Sequence, residues 1–160
     1  MSSNASLKEQ RDYAWSYFQL HANQRISSFN FFVVIAALLT TGLAGTLKSD
    51  FTQHYVGVIL ALSLIVISFI FWKMDQRVSY LVKHAEEALK AIEEKWMSQE
   101  DFIGPELALF RTEEEKTKNI RSLGSWNPWQ LHLSYAKCFG VVYLVFGILG
   151  VVGGIAAVIK

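Results

Sequence analysis

The side chains in this chain that could do chemistry are few, and their spacing limits the chemistry available. His21 and Arg25 are four residues apart and share a helix face. Asn30 follows at the start of a long uncharged run. Asp75 and Arg77 sit just after a second uncharged run, at a matching depth, so an Asp75–Arg25 contact between helices is expected. Such groups can serve as snorkelling residues and helix-pair glue, or as a polar ring at a pore mouth. The four histidines, His21, His54, His84 and His132, form no HExxH or other tight metal pair, so no metal site is expected. A single cysteine, Cys138, excludes an internal disulfide framework and a cysteine-based zinc site. No GxSxG, P-loop or GxGxxG motif occurs, and no cofactor is implied.

The elements that must position these residues follow from the distribution of charge. Phe29–Leu47, Tyr55–Trp72 and Cys138–Ile159 are runs of 19, 18 and 22 residues without a charge. A bilayer-spanning helix needs about 20 mostly apolar residues, so all three qualify by length. The third leaves two options open: 138–159 crosses the bilayer, or lies buried in a cytoplasmic assembly. About 28 mixed polar residues precede the first run, which does not fit a cleavable signal peptide. Residues 1–28 carry three Lys+Arg, residues 48–54 carry one, and residues 73–137 carry ten. The positive-inside rule then places the N-terminus and the 73–137 segment in the cytoplasm, with the short 48–54 loop outside. Composition agrees with this class. Apolar residues make up 52% and charged residues 18% of 160, which excludes disorder, and two prolines and ten glycines argue against a turn-rich β protein. A net charge of +1 makes direct nucleic-acid binding unexpected.

The fold class expected is therefore all-α: a helical integral membrane protein with three spans and a long cytoplasmic helix extending from the second. The divisions are an amphipathic N-terminal helix over 1–28, a two-span hairpin over 29–72, a cytoplasmic helical segment over 73–127 and a C-terminal membrane helix over 128–160. Ser6-Leu7-Lys8-Glu9 reads as a capping box that starts the first helix. The second helix runs without a breaker from Tyr55 to about Met97, roughly 65 Å at 1.5 Å per residue. Val78, Val82, Ala85, Leu89, Ile92 and Trp96 give it an a/d heptad stripe, which packs either against the chain's own helices or against another subunit. Gly104-Pro105 stops and restarts the chain, and a weakly amphipathic helix follows to about Leu123. Asn127-Pro128 reads as the opening of the last helix. That helix carries Gly140, Gly147, Gly150 and Gly154, a small-residue face expected to form a subunit–subunit contact.

The segment His21-Ala22-Asn23-Gln24-Arg25, with Phe29-Asn30-Phe31-Phe32 and Asp75-Gln76-Arg77, resembles small bacterial membrane effectors of antiviral defence. These are the SLATT-type two-span effectors and the accessory membrane proteins of type VI CRISPR systems. The resemblance covers roughly residues 15–95 and implies an oligomeric pore that depolarises the inner membrane when a partner triggers it. This chain departs from the SLATT pattern by adding a third apolar run. Arg77 and His84, with six residues between them, also resemble the Arg–His pair of HEPN ribonucleases, although Val78 stands where a polar residue usually follows the arginine.

The leading expectation is a non-enzymatic, membrane-embedded homo-oligomer acting as a pore or membrane-perturbing effector, gated through its cytoplasmic helices. Its partners would be the lipid bilayer, further copies of itself, and a cytoplasmic effector protein or signal. No ionisable residue lies deep in a span, which argues against proton-coupled transport. The alternatives are a non-conducting scaffold that recruits a partner through 73–127 and a membrane-tethered HEPN-like ribonuclease. The segment 73–127 has a net charge of −2, which is poor for RNA.

Overall fold

A computed structural model describes residues 2–48, 54–98, 108–113 and 135–159. Every regular element among them is helical. Helix α1 spans Ser2–Lys48, α2 spans His54–Met97 and α3 spans Tyr135–Ile159. Each contains a stretch long and apolar enough to cross a membrane. No proline interrupts α1 or α2, so their helical hydrogen bonding has no obligatory break. The Ser6 capping box does not form: α1 already begins at Ser2, and Ser6 Oγ accepts from Gln10 Nε2 at 3.4 Å inside the helix. With no Pro or Gly between Ser2 and Ser6, nothing stops the helix from extending N-terminally. Residues 109–113 are helical, within the expected 105–123 segment. The Gly104-Pro105 and Asn127-Pro128 junctions and His132 lie outside the described residues.

The described residues fall into two compact units. A charged unit draws on 2–23, 80–98 and 108–113, and an apolar unit on 24–48, 54–79 and 135–159. In the apolar unit the three helices pack on one another around Phe32 of α1, Leu64 of α2 and Tyr143 of α3, with Ala36 beside them. Phe32 meets Tyr143 edge-on at 4.7 Å between ring centroids and Phe146 at 5.6 Å. Phe29 stacks on Phe139 at 3.9 Å. In lipid such rings hold helices together by shape and dispersion, because apolar surface gains little by leaving apolar solvent. Hydroxyls within the spans bond back to their own helix: Thr40 to the Ala36 carbonyl at 2.7 Å and Thr41 to the Ala37 carbonyl at 2.8 Å. Ser68 Oγ is buried without a hydrogen-bond partner among the described residues.

The glycines of α3 correct one expectation. Gly150 and Gly154 face α2 of the same chain. A methyl placed on Gly150 would sit 2.8 Å from Ile65 Cγ1 and 3.1 Å from the Ala61 carbonyl oxygen, and one on Gly154 would sit 3.3 Å from Ala61 Cβ. One on Gly153 would collide with the Leu43 side chain of α1. The close approach that small residues permit is thus used inside the subunit, because three long helices need a narrow seam to form any interior at all. Gly140 differs: a methyl there would meet open space, and at Gly147 it would make only ordinary contact with Ser68, 3.9 Å away.

The heptad stripe is likewise packed within the chain. Val78 is buried in the apolar unit, and Ala85, Leu89 and Ile92 are buried in the charged unit, with Val82 and Trp96 half-buried. Leu89 and Ile92 cluster with Ala14 and Phe18 of α1 and with Phe110. The own-chain alternative therefore accounts for this stripe: Ala14 and Phe18 supply the second apolar face it needs. Glu93, beside the stripe, accepts hydrogen bonds from the backbone N–H groups of Phe110 at 3.4 Å and Arg111 at 3.2 Å. Its carboxylate caps the helical turn at 109–113, whose first N–H groups have no partner within the turn.

Candidate functional site

The most tightly built polar feature of the apolar unit joins α1 to α2. Arg25 Nε donates to Asp75 Oδ1 at 2.6 Å, and Nη2 donates to Oδ2 at 3.0 Å. The two parallel bonds match the guanidinium fork to the carboxylate. The side chains are only 12% and 8% exposed. The flat face of the guanidinium lies 5.2 Å from the Phe139 ring centroid on α3, within cation–π range. Ser28, Met74, Val78 and Tyr143 close around the pair. All three helices thus contribute, each from a position where an uncharged run meets charged sequence. An ion pair so enclosed contributes little net stability against an apolar replacement, but it fixes the helix register strongly, because a partnerless buried charge is costly.

The structure brings together two of the five residues expected at the membrane edge. Arg25 and Asp75 pair directly. Asn30 is exposed on α1 and Arg77 is exposed on α2. His21 belongs to the charged unit, where its ring meets Tyr17 edge-on at 4.3 Å. Phe139 and Tyr143, which complete the surroundings of the ion pair, carry no sequence signal for that role. They are two more aromatics in an apolar run, and only the packing of α3 brings them to residues 25 and 75. The same holds for His54, whose Nδ1 lies 2.9 Å from the Ala157 carbonyl oxygen and ties the start of α2 to the end of α3.

The charged unit has a hollow of about 340 Å³ lined by Trp15, Trp96, Phe110, Leu89 and Ile92, with Arg11 and Asp12 at its edge. Arg11 stacks over Trp96, 5.1 Å from the ring centroid, and pairs with Asp12 at 2.7 Å. His84 stacks on Tyr80 with ring centroids 6.4 Å apart. Both His84 and Arg77 are exposed and belong to different units. Among the described residues no group of three or more His, Cys, Asp and Glu is placed to hold a metal ion.

Comparison with known proteins places this architecture. The chain is 32% identical over 148 residues to the CD-NTase-associated protein 19 of Escherichia coli, covering 92% of this chain and 90% of that protein. No solved structure matches the chain significantly. Residues 8–159, which include the three apolar helices and the Arg25–Asp75 pair, match the octameric membrane protein family (8xMP), and the chain belongs to that family.

Proposed function

We propose that this protein assembles into a membrane pore or membrane-perturbing effector in bacterial antiviral defence, in the inner membrane, with its N-terminus and charged unit in the cytoplasm. One observation carries the reading: a chain with three apolar helices packed around one small core belongs to a family of octameric membrane proteins. Three helices cannot enclose a channel, whereas a ring of such units can. The relative's name associates it with a CD-NTase, which supports a nucleotide-signal-linked setting rather than a CRISPR one. In this reading the charged unit receives the trigger and the apolar unit responds. The test is reconstitution of the full chain in liposomes loaded with a self-quenching dye, with and without added nucleotide signals. Dye release that depends on the oligomer is expected. Intact vesicles under every trigger would refute the pore reading.

The hollow beside Trp15 and Trp96 favours a second reading, a non-conducting scaffold that holds a cytoplasmic partner. It predicts partner binding that weakens with Trp96→Ala while membrane potential stays unchanged.

A further inference from the structure

The outward face of α1 differs chemically from those of the other two apolar helices. On α1 the buried side is set by Phe32, Ala36 and Leu43. The opposite side of a 3.6-residue helix carries Ser27, Asn30, Val34, Ala37, Thr41 and Gly45, all exposed. Their spacing of 3, 4, 3, 4 and 4 keeps them on one strip. Five of the six are small or polar. Within the uncharged run 55–72, the exposed positions of α2 are large and apolar, among them Ile59, Leu62, Val66 and Phe69. Those of α3 are the same, with Val141, Leu144, Ile148 and Val152. Two helices therefore expose only large apolar side chains along most of their spans, whereas α1 carries a small and polar strip between apolar edges.

The exposed Asn30 amide has no hydrogen-bond partner among the described residues. A primary amide facing lipid leaves its donors and acceptor unsatisfied. Polar groups in spans accordingly face protein or a water-filled cavity. The strip also has apolar edges, with Phe31 and Leu38 on one side and Ile26 and Val33 on the other. A cyclic oligomer needs that order on its innermost helix: flanks that meet the two neighbouring subunits and a centre that meets neither.

Resting on the pore reading above, we propose that the Ser27–Asn30–Ala37–Thr41 strip of α1 lines a water-filled lumen on the axis of the oligomer. The strip has no charged side chain from residue 27 to residue 47. The lumen therefore passes small ions of either sign with weak charge preference.

The test uses the full chain with Cys138 replaced by serine, the oligomer checked by mass, and single cysteines placed in turn. Asn30→Cys, Ala37→Cys and Thr41→Cys probe the strip. Ile59→Cys, Val66→Cys and Leu144→Cys probe the lipid side. A membrane-impermeant thiosulfonate should react with the strip thiols at least about tenfold faster, because the reactive thiolate forms in water. At Ala37→Cys, a cationic and an anionic thiosulfonate should move the reversal potential in a KCl gradient in opposite directions. Strip thiols that react no faster than the lipid-side thiols would overturn the assignment and mark the strip as a dry subunit contact. Fast labelling with a reversal potential that ignores the attached charge would also overturn it. Failure of the pore reading looks different: the strip labels fast and the vesicles carry no current.

Discussion

Arg25 and Asp75 are the residues on which the helix arrangement of the apolar unit turns. The pair is bidentate and nearly enclosed, with Phe139 over the guanidinium. Removing one partner strands the other charge in a low-dielectric setting. Asp75→Ala should therefore destabilise the detergent-solubilised protein by about 3–5 kcal/mol, read as a lowered thermal midpoint. The double variant Arg25→Met, Asp75→Leu should recover most of that loss, because no lone charge remains. If the double variant is as unstable as the single one, the pair's geometry and not its charge balance is what matters. Glu93 makes a smaller, local contribution. Glu93→Ala removes the acceptor for two backbone N–H groups. It should speed amide exchange at Phe110 and Arg111 and cost on the order of 1 kcal/mol. The Asp75–Arg25 contact was readable from residue type and depth alone. Glu93 was not, because a capping carboxylate 17 residues away in sequence looks like any other charge on a solvated face.

The helices themselves are the most legible level of this protein. Uncharged runs of 18 to 22 residues make spans almost unavoidable, since few other folds bury that much continuous apolar sequence. The α2 boundaries, His54–Met97, lie within a residue of those read from the absence of breakers after Tyr55. Helix faces were less legible. A glycine repeat shows that something approaches α3 closely, but not what does so. The structure assigns Gly150 and Gly154 to Ala61 and Ile65 of α2. Gly150→Val should therefore force α3 away from α2 and cost about 1–3 kcal/mol or more, as overpacking does. Gly140→Val, with open space around the site, should leave the thermal midpoint nearly unchanged. Thermal scans of the two variants side by side check this. Equal loss in both would mean that Gly140 is also packed, against another subunit.

At the scale of the whole molecule, the family fixes the question to ask. A chain of the octameric membrane protein family should elute from detergent as a defined ring-sized complex, and mass measurement should return eight copies of the 18.1 kDa chain. A monomer or dimer would leave too few helices to surround a channel and would shift the weight to the scaffold reading. A ring would direct attention to the polar strip of α1 and to the hollow beside Trp15 and Trp96, as the places where ions and a trigger would meet the protein.

Fold class, three apolar helices and an ion pair across two of them follow from sequence by itself, because charge is excluded from lipid and because opposite charges at equal depth find each other. Which face of each helix is used did not. Small residues and heptad stripes look the same whether the helix opposite belongs to the same chain or to a neighbour. Only the folded chain shows that α3 places its glycines on α2 and that the heptad stripe packs on α1 and Phe110. The same packing leaves the Asn30–Thr41 face of α1 as the polar surface turned outward. That distinction rests on contacts between residues tens of positions apart, which local periodicity does not encode.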